Sequence, residues 1–462
     1  MFVGVNEEKM DDGTNVVKHP VFEERPLAGV ELEIIAAEQI KSGDGVVHAE
    51  KGDVVQTIVT GNSESNLSDE LYLGRYIVRE SKTVDGFILD DKEYEVDLQY
   101  ADDKTPIVIE TTSIKNERAD IAVELVKDKE IFNASGKYEY QPGAGFTFAL
   151  IAKEALYGVD NEDSPLIKPG DILSLVVTDA DGKATFKDDV PYSSKYVVKE
   201  LSAPSPDYKI DPKEYPIDLS FKQDTPTLKI KINEGESIKN ELIKVPIQIS
   251  KTDITGEISL PGVTVEIYDD QGNMIYTGIT LKDGKTEKIM LPVNRNFTYR
   301  EVKTAEGYAL NTQLMQFKID EKGTVIGDMA IKNEVNRVIL IKLDASTKQP
   351  LNGVKFGMYN EAGELVMEAE SKENGLVTFE RIGFGKFQIK EISTVPGYQL
   401  SGQTIEIEIN DTYQNQVDPV EVLNSPVVQT GIEDFPWLAV GICAGGVAAA
   451  LIVIAVVRKR KS

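Results

Sequence analysis

The stretch FQIKEISTVPGY (387–398) has three other copies in the chain: YIVRESKTVDGF (76–87), YVVKELSAPSPDY (196–208) and FTYREVKTAEGY (297–308). Each opens on an aromatic residue, reaches a glutamate four residues later and closes on another aromatic seven or eight residues beyond. In a strand, positions i, i+2 and i+4 share one face. Tyr76, Val78 and Glu80 therefore point the same way, as do Tyr196, Val198 and Glu200. Phe297, Tyr299 and Glu301 repeat the pattern, and so do Phe387, Ile389 and Glu391. If the aromatic face is the core, a carboxylate is buried four times, at a cost that something must compensate.

Two further landmarks recur around each glutamate. A strand ending in asparagine follows it by 32 to 40 residues: SIKN (113–116), SIKN (237–240), AIKN (330–333) and EVLN (421–424). A strand ending in lysine precedes it: NVVK (15–18), VELVK (123–127), IQISK (247–251) and ILIK (339–342). Ile121, Val123 and Leu125 are in phase with Lys127, and Val245, Ile247 and Ile249 with Lys251. Lys342 follows three consecutive apolar residues, so its phase is open, and Lys18 has only Val16 in support. Each unit thus offers one lysine, one glutamate and one asparagine on faces expected to point inward.

A repeat of this kind sets the architecture. Between the landmarks lie short strands and turns such as Asp181-Gly182, Gln271-Gly272 and Asn374-Gly375, with almost no helical period. A Gly-Val pair precedes the next strand in three units, and its valine lies twelve residues past the lysine. The predicted fold is all-β, a string of small β-sandwiches over 11–117, 118–243, 244–334 and 335–426, the second carrying an insertion around DNEDSPLIKPGD (160–171). The asparagine-to-lysine linkers are 9 to 11 residues long.

Composition narrows the function. The chain has 462 residues, enough for several cores. A net charge of −27 argues against nucleic acid as a partner, since phosphate binding needs a basic patch. Two histidines, His19 and His48, leave little for histidine catalysis or a histidine metal site. The single cysteine, Cys443, sits near the C-terminus, so disulfides do not hold the units. Acidic runs at 160–163, 179–181 and 269–273 lack the calcium-loop spacing and are expected to be turns. No metal and no cofactor is expected.

The lysine, the aromatic-x-x-x-Glu box ending in Gly-Tyr and the terminal asparagine together resemble the CnaB or SpaA-type (prealbumin-like, Ig-like) domains of Gram-positive surface proteins and pilins. The resemblance covers about Gly13 to Pro426. It implies an intramolecular isopeptide bond between the lysine of the first strand and the asparagine of the last, assisted by the glutamate. The groupings so implied are Lys18–Glu80–Asn116, Lys127–Glu200–Asn240, Lys251–Glu301–Asn333 and Lys342–Glu391–Asn424. The chemistry suits buried groups. Desolvation can lower a lysine from about 10.4 by up to roughly 3–5 units, and it raises a carboxylate. A neutral amine can then attack the amide while the protonated glutamate polarises it and passes a proton to departing ammonia. Such a step is self-modification, not enzymatic turnover.

The C-terminus supplies an address. Residues 437–457 carry no charge over 21 positions, about 31 Å as a helix and enough for a bilayer core. The basic tail 458–462 follows, which the positive-inside rule keeps cytoplasmic. Upstream, Val427, Val428, Gln429, Thr430 and Gly431, with a spacer to 436, resemble a sortase sorting signal. That likeness implies cleavage between Thr430 and Gly431 and transfer of Thr430 to a peptidoglycan cross-bridge or a pilin lysine. At the other end, MFVGVNEEKM lacks the features of a secretory signal. Residues 1–10 resemble the last strand of a preceding domain, with Asn6 twelve residues before Lys18.

The function these features imply is a wall-anchored stalk, or an accessory pilin or adhesin. It would be held in the membrane before sorting and carried at the Gram-positive cell surface by sortase. The alternatives are an adhesin that binds a host matrix or cell-surface ligand through one of these domains, and the anchor portion of an extracellular enzyme.

Overall fold

The computed structural model describes residues 1–428 apart from 11–14, 106, 162, 193–194, 218 and 220–226. Strands β1 (Phe2–Lys9) and β2 (Val16–Phe22) open the chain as an antiparallel hairpin. The first unit holds β3 (Glu31–Ala36), the short ribbon of β4 (Ile40–Lys41) and β5 (Val47–Ala49), then β6 (Val54–Val59), β7 (Gly74–Lys82) and β8 (Glu93–Leu98). Its sheet has the order β6-β3-β7-β8.

The second unit begins with β9 (Asp120–Phe132), β10 (Tyr138–Pro142), β11 (Thr147–Ala152) and β12 (Ile172–Val177). It continues through β13 (Lys183–Phe186), β14 (Tyr196–Ser202), β15 (Glu214–Ile217), β16 (Thr227–Lys231) and β17 (Ile238–Asn240). One layer is built on β9, which pairs with β10, β13, β16 and β17; the other has the order β1-β2-β12-β11-β14-β15.

The third unit comprises β18 (Lys244–Ile247), β19 (Ser250–Asp253), β20 (Thr264–Tyr268), β21 (Met274–Ile279) and β22 (Ile289–Pro292). Strands β23 (Arg295–Lys303), β24 (Met315–Ile319), β25 (Val325–Gly327) and β26 (Ala330–Asn333) complete it. The sheet β21-β20-β23-β24-β25 faces the pairs β18-β22 and β19-β26. The fourth unit has β27 (Arg337–Asp344), β28 (Lys355–Asn360), β29 (Leu365–Glu370), β30 (Leu376–Glu380), β31 (Gly385–Ser393), β32 (Thr404–Ile409) and β33 (Val420–Asn424). Its layers are β30-β27-β33 and β29-β28-β31-β32.

Alternation of apolar and polar residues decides which side of each strand is buried. In β9, Ile121, Val123, Leu125 and Lys127 are all buried, and Val338, Leu340 and Lys342 are likewise in phase in β27. The uninterrupted apolar run before Lys342 had left that phase open. The structure turns Ile339 and Ile341 to the half-buried side. In the second, third and fourth units the first and last strands lie side by side and parallel. Lys127 is level with Ile238, Lys251 with Ile331 and Lys342 with Val422. In every case the asparagine lies two residues further on. It therefore shares the lysine's face as a diagonal neighbour, within reach of a long side chain.

The aromatic that ends each repeated box has a structural task. Phe87, Tyr208, Tyr308 and Tyr398 form single antiparallel bridges with Arg118, Leu242, Val335 and Pro426. Each partner is the second residue after the terminal asparagine, so the box clips the segment on which the asparagine sits. A buried hydroxyl recurs as well. Thr60, Thr178, Thr280 and Ser371 accept from the backbone N–H of Val30, Phe146, Val263 and Val354, fixing the turn into the next strand.

The first unit departs from the predicted arrangement. Residues 113–116 form no strand, and β2 belongs to the second unit's sheet. The N-terminal segment, read from its sequence as the last strand of another domain, is here the partner of β2, with Asn6 exposed opposite His19. Phe2 and Val17 are buried, and Phe2 joins the second unit's core. Among the described residues no helix is long and apolar enough to cross a membrane. The 437–457 span, the basic tail and Gln429, Thr430 and Gly431 lie outside the described residues.

Candidate functional site

Three of the four groupings are assembled. Lys127, Lys251 and Lys342 are completely buried, as are Glu200, Glu301, Glu391, Asn240, Asn333 and Asn424 to within a few per cent. In the second unit Lys127 Nζ donates to Asn240 Oδ1 at 2.6 Å and lies 3.9 Å from Glu200 Oε2. In the fourth, Lys342 Nζ donates to Asn424 Oδ1 and lies 3.0 Å from Glu391 Oε2. In the third, Lys251 Nζ sits 3.3 Å from Glu301 Oε2. On the other side, the asparagine amide donates to the glutamate: Asn240 to Glu200, Asn333 to Glu301 at 2.8 Å and Asn424 to Glu391 at 2.7 Å. In the third and fourth units the carboxyl therefore bridges the amine and the amide nitrogen. In the second, Glu200 Oε2 makes no hydrogen bond, and in the third Asn333 Oδ1 has no partner among the described residues, Lys251 Nζ donating to Ile331 O instead. Lys129, a neighbour of Lys127 in sequence, is only half-buried.

Burial sets the proton balance. It lowers Lys127 to about 8 against the opposing pull of Glu200, and Lys251 to about 8 against that of Glu301. Lys342 is lowered for the same reason. Burial likewise raises Glu200 and Glu301, offset in part by the asparagine amide and the lysine. Amine and carboxyl are thus brought toward each other's range, and a neutral amine beside a neutral acid becomes accessible.

A pH dependence follows for joining the lysine to the asparagine. Below the glutamate's raised range both groups are protonated and the amine is no nucleophile. Above about 8, where Lys127 and Lys251 have lost their protons, the carboxylate has none left to give to departing ammonia. The rate of ammonia loss after refolding should therefore be bell-shaped, with its alkaline limb near 8. A rate that kept rising well beyond that limb would remove the acid role from the glutamate.

Two supporting elements were not tied to the site from the sequence, although Gly182 and Gly375 were read there as turns. Three residues past the glutamate, Thr304 and Thr394 accept from the same amide nitrogens, Asn333 at 2.9 Å and Asn424 at 2.7 Å. Thr83 does so for Asn116 at 3.3 Å, whereas the second unit has Ala203 at this place. The signal was present as Glu-x-x-Thr in three boxes, but it had no meaning until the asparagine was placed. The second element is a turn glycine against each lysine backbone: Gly182 at Lys127, Gly284 at Lys251 and Gly375 at Lys342. Lys251 N donates to Gly284 O at 2.7 Å, and a Cβ on Gly284 would stand 2.6 Å from Lys251 O. Gly284 also has φ +72°, which costs an L-residue about 1–2 kcal/mol. Gly284→Ala should displace Lys251 and slow formation of the third bond at least tenfold, measured as branched peptide against time, with the other two unchanged.

Lys18 requires correction. The family resemblance grouped it with Glu80 and Asn116, but the structure pairs it with Asp171 Oδ2 at 2.7 Å on the second unit, its side chain 18% exposed. Glu80 and Asn116 do meet: the Asn116 amide donates to both Glu80 oxygens at 2.8 and 2.7 Å. Glu80 is buried and makes no ion pair among the described residues. Val427 and Val428 of the sorting-signal stretch are exposed beyond β33. The acidic turns read from the sequence cap their own backbone: Asp179 accepts from Asp181 and Lys183, Asp269 from Gln271 and Asn273.

Repeated prealbumin-like sandwiches with a buried lysine, glutamate and asparagine define the class of this protein. The chain belongs to the SpaA prealbumin-like fold domain family, which matches residues 14–115, 139–236, 245–334 and 336–421. A 69-residue stretch is 35% identical to the trypsin-resistant surface T6 protein of Streptococcus pyogenes serotype M6, covering 15% of this chain and 13% of that relative's length. Solved structures similar in fold include the Bacillus anthracis TIE protein, at 20% identity and TM-score 0.40, covering 89% of this chain and 70% of that one. The major pilin subunit BcpA of Bacillus cereus is 16% identical with TM-score 0.29, covering 66% and 99%.

Proposed function

We propose that this chain is a cell-surface stalk of the pilin or adhesin kind. Its units close themselves by bonds from Lys127 to Asn240, Lys251 to Asn333 and Lys342 to Asn424. The observation that carries the reading is the repetition of one buried arrangement in three units, at one parallel register. In each, Nζ attacks the asparagine Cγ. The new C–N bond replaces the bond to the amide nitrogen, and a proton from the amine reaches that nitrogen through the glutamate, so that ammonia leaves. Holding the groups in contact supplies much of the barrier reduction, about 7–11 kcal/mol for well-oriented partners.

The mechanical consequence follows from topology. Parallel first and last strands carry opposite chain ends, so tension along the chain shears the hydrogen bonds between them. Each of those is worth only about 0.5–1.5 kcal/mol net. A covalent bond between the two strands takes the load. The family match and the trypsin-resistant surface relative support a surface location. The sorting-signal likeness of 427–431 supports sortase as the anchoring partner and a peptidoglycan or pilin amine as the acceptor. The test is a digest of the full chain examined for the three branched peptides, each of which should vanish singly with Glu200→Ala, Glu301→Ala or Glu391→Ala. Unbranched peptides throughout would leave ordinary sandwiches with buried ion pairs and end the stalk reading.

A further inference from the structure

The first unit is an acceptor lacking its lysine. Its Glu80–Asn116 pair is joined, Asp90 N–H donates to Glu80 Oε2 as Asn311 and Ser401 do to Glu301 and Glu391, and Phe87 clips Arg118. What differs is the strand opposite. Leu32 and Val78 are only half-buried, whereas their counterparts Val265 and Tyr299 in the third unit are completely enclosed. The buried Glu80 carboxyl makes no ion pair among the described residues, whereas in each other unit that carboxyl lies within 3.9 Å of a lysine. A carboxyl so enclosed favours a cationic or amine-bearing partner.

Strand β2 is built to be that partner and is held elsewhere. Lys18 lies twelve residues before Val30, the interval that separates Lys251 from Val263 and Lys342 from Val354. The family match begins at residue 14 and so assigns the segment to the first unit. Its pairing with the second unit's sheet is a single parallel pair, Val17 with Ile172, and the rest of its hold comes from Phe2 and Phe22 packed against that unit's core and from the Val159 N–H donated to Phe2 O. The part-exposed Lys18–Asp171 ion pair adds little to that hold. Val17 is buried, while Val16 and Lys18 share the opposite, part-buried face, from which Lys18 meets Asp171.

We propose that β2 is a strand with two alternative seats. It rests on the second unit until it crosses to the open face of the first, where Lys18 reaches Glu80 and Asn116 and the exchange becomes irreversible. The closing step is that of the other units: Lys18 Nζ bonds to Asn116 Cγ, the bond to the amide nitrogen breaks, and Glu80 relays the proton with which ammonia departs. This rests on the bond chemistry assigned to the other three units, and it adds a conformational switch to it.

The experiment uses the full chain carrying Cys443→Ser, with and without Val17→Cys and Ile172→Cys to staple β2 to its resting seat. With the staple oxidised, the digest should contain the three branched peptides of the other units and none joining Lys18 to Asn116. Reduction should release that fourth peptide, and Glu80→Ala should abolish it. The proposal is overturned by a staple that cannot form, by a Lys18–Asn116 peptide with the staple intact, or by none after reduction. A Lys18–Asn116 link between two copies, seen as a denaturant-resistant dimer, also overturns it in favour of strand exchange between chains. Loss of all the branched peptides together would instead indict the bond chemistry, so the two failures are distinguishable.

Discussion

Glu391→Ala should leave the fourth unit without its proposed bond and, through loss of that bond alone, lower the melting temperature of the unit by roughly 20–35 °C. Lys342 and Asn424 are 82 residues apart in sequence. Cross-linking a loop of that length removes about 4.5 kcal/mol of unfolded-state entropy on the loop-closure account. In a unit of this size each kcal/mol corresponds to about 4–8 °C. The substitution also strands Lys342 in the core with no carboxyl beside it, a further cost of about 3–5 kcal/mol for a broken buried pair. Calorimetry of the full chain, read beside its intact mass, checks the prediction. A variant that regains one ammonia yet melts within a few degrees of the parent would show that the fold, and not the bond, stabilises the unit.

Under tension the difference should be larger still. In the parent chain, pulled from its ends, the segments between each lysine and its asparagine should be bypassed by the proposed covalent bonds and contribute no length. With Glu200→Ala, Glu301→Ala and Glu391→Ala together, unfolding the second and fourth units should release 113 and 82 residues respectively. At about 3.5 Å per extended residue those are steps of about 400 Å and 290 Å. Single-molecule extension reads them directly. Steps of that size in the parent would mean that load passes through hydrogen bonds alone, and the stalk would lose its mechanical basis.

Much of the site was legible because strand periodicity is strict. A lysine two places beyond a buried isoleucine or leucine must share its face, and Lys127 and Lys251 were readable on that ground. Lys342 was not, since Ile339, Leu340 and Ile341 present apolar side chains on both faces, and only packing against the opposite sheet selects one. Thr304, Thr394 and the turn glycines beside the lysines were visible as letters without a role. Their partners are an amide and a carbonyl brought close by folding, and no spacing rule announces them.

Lys18 shows where the same reasoning reaches its limit. Its interval to Val30 matches that of the third and fourth units, and the family resemblance placed it with Glu80 and Asn116. The structure instead seats β2 on the neighbouring unit, where its hairpin partner places Phe2 in the core and Phe22 packs against it. By itself the sequence determined the all-β repeat, the order of lysine, glutamate and asparagine, and the phase of most of them, since these depend on local periodicity. Only the tertiary structure decided the parallel register that sets each asparagine two residues beyond its lysine's partner. It also decided the unit to which a strand belongs, because both depend on contacts between segments distant along the chain.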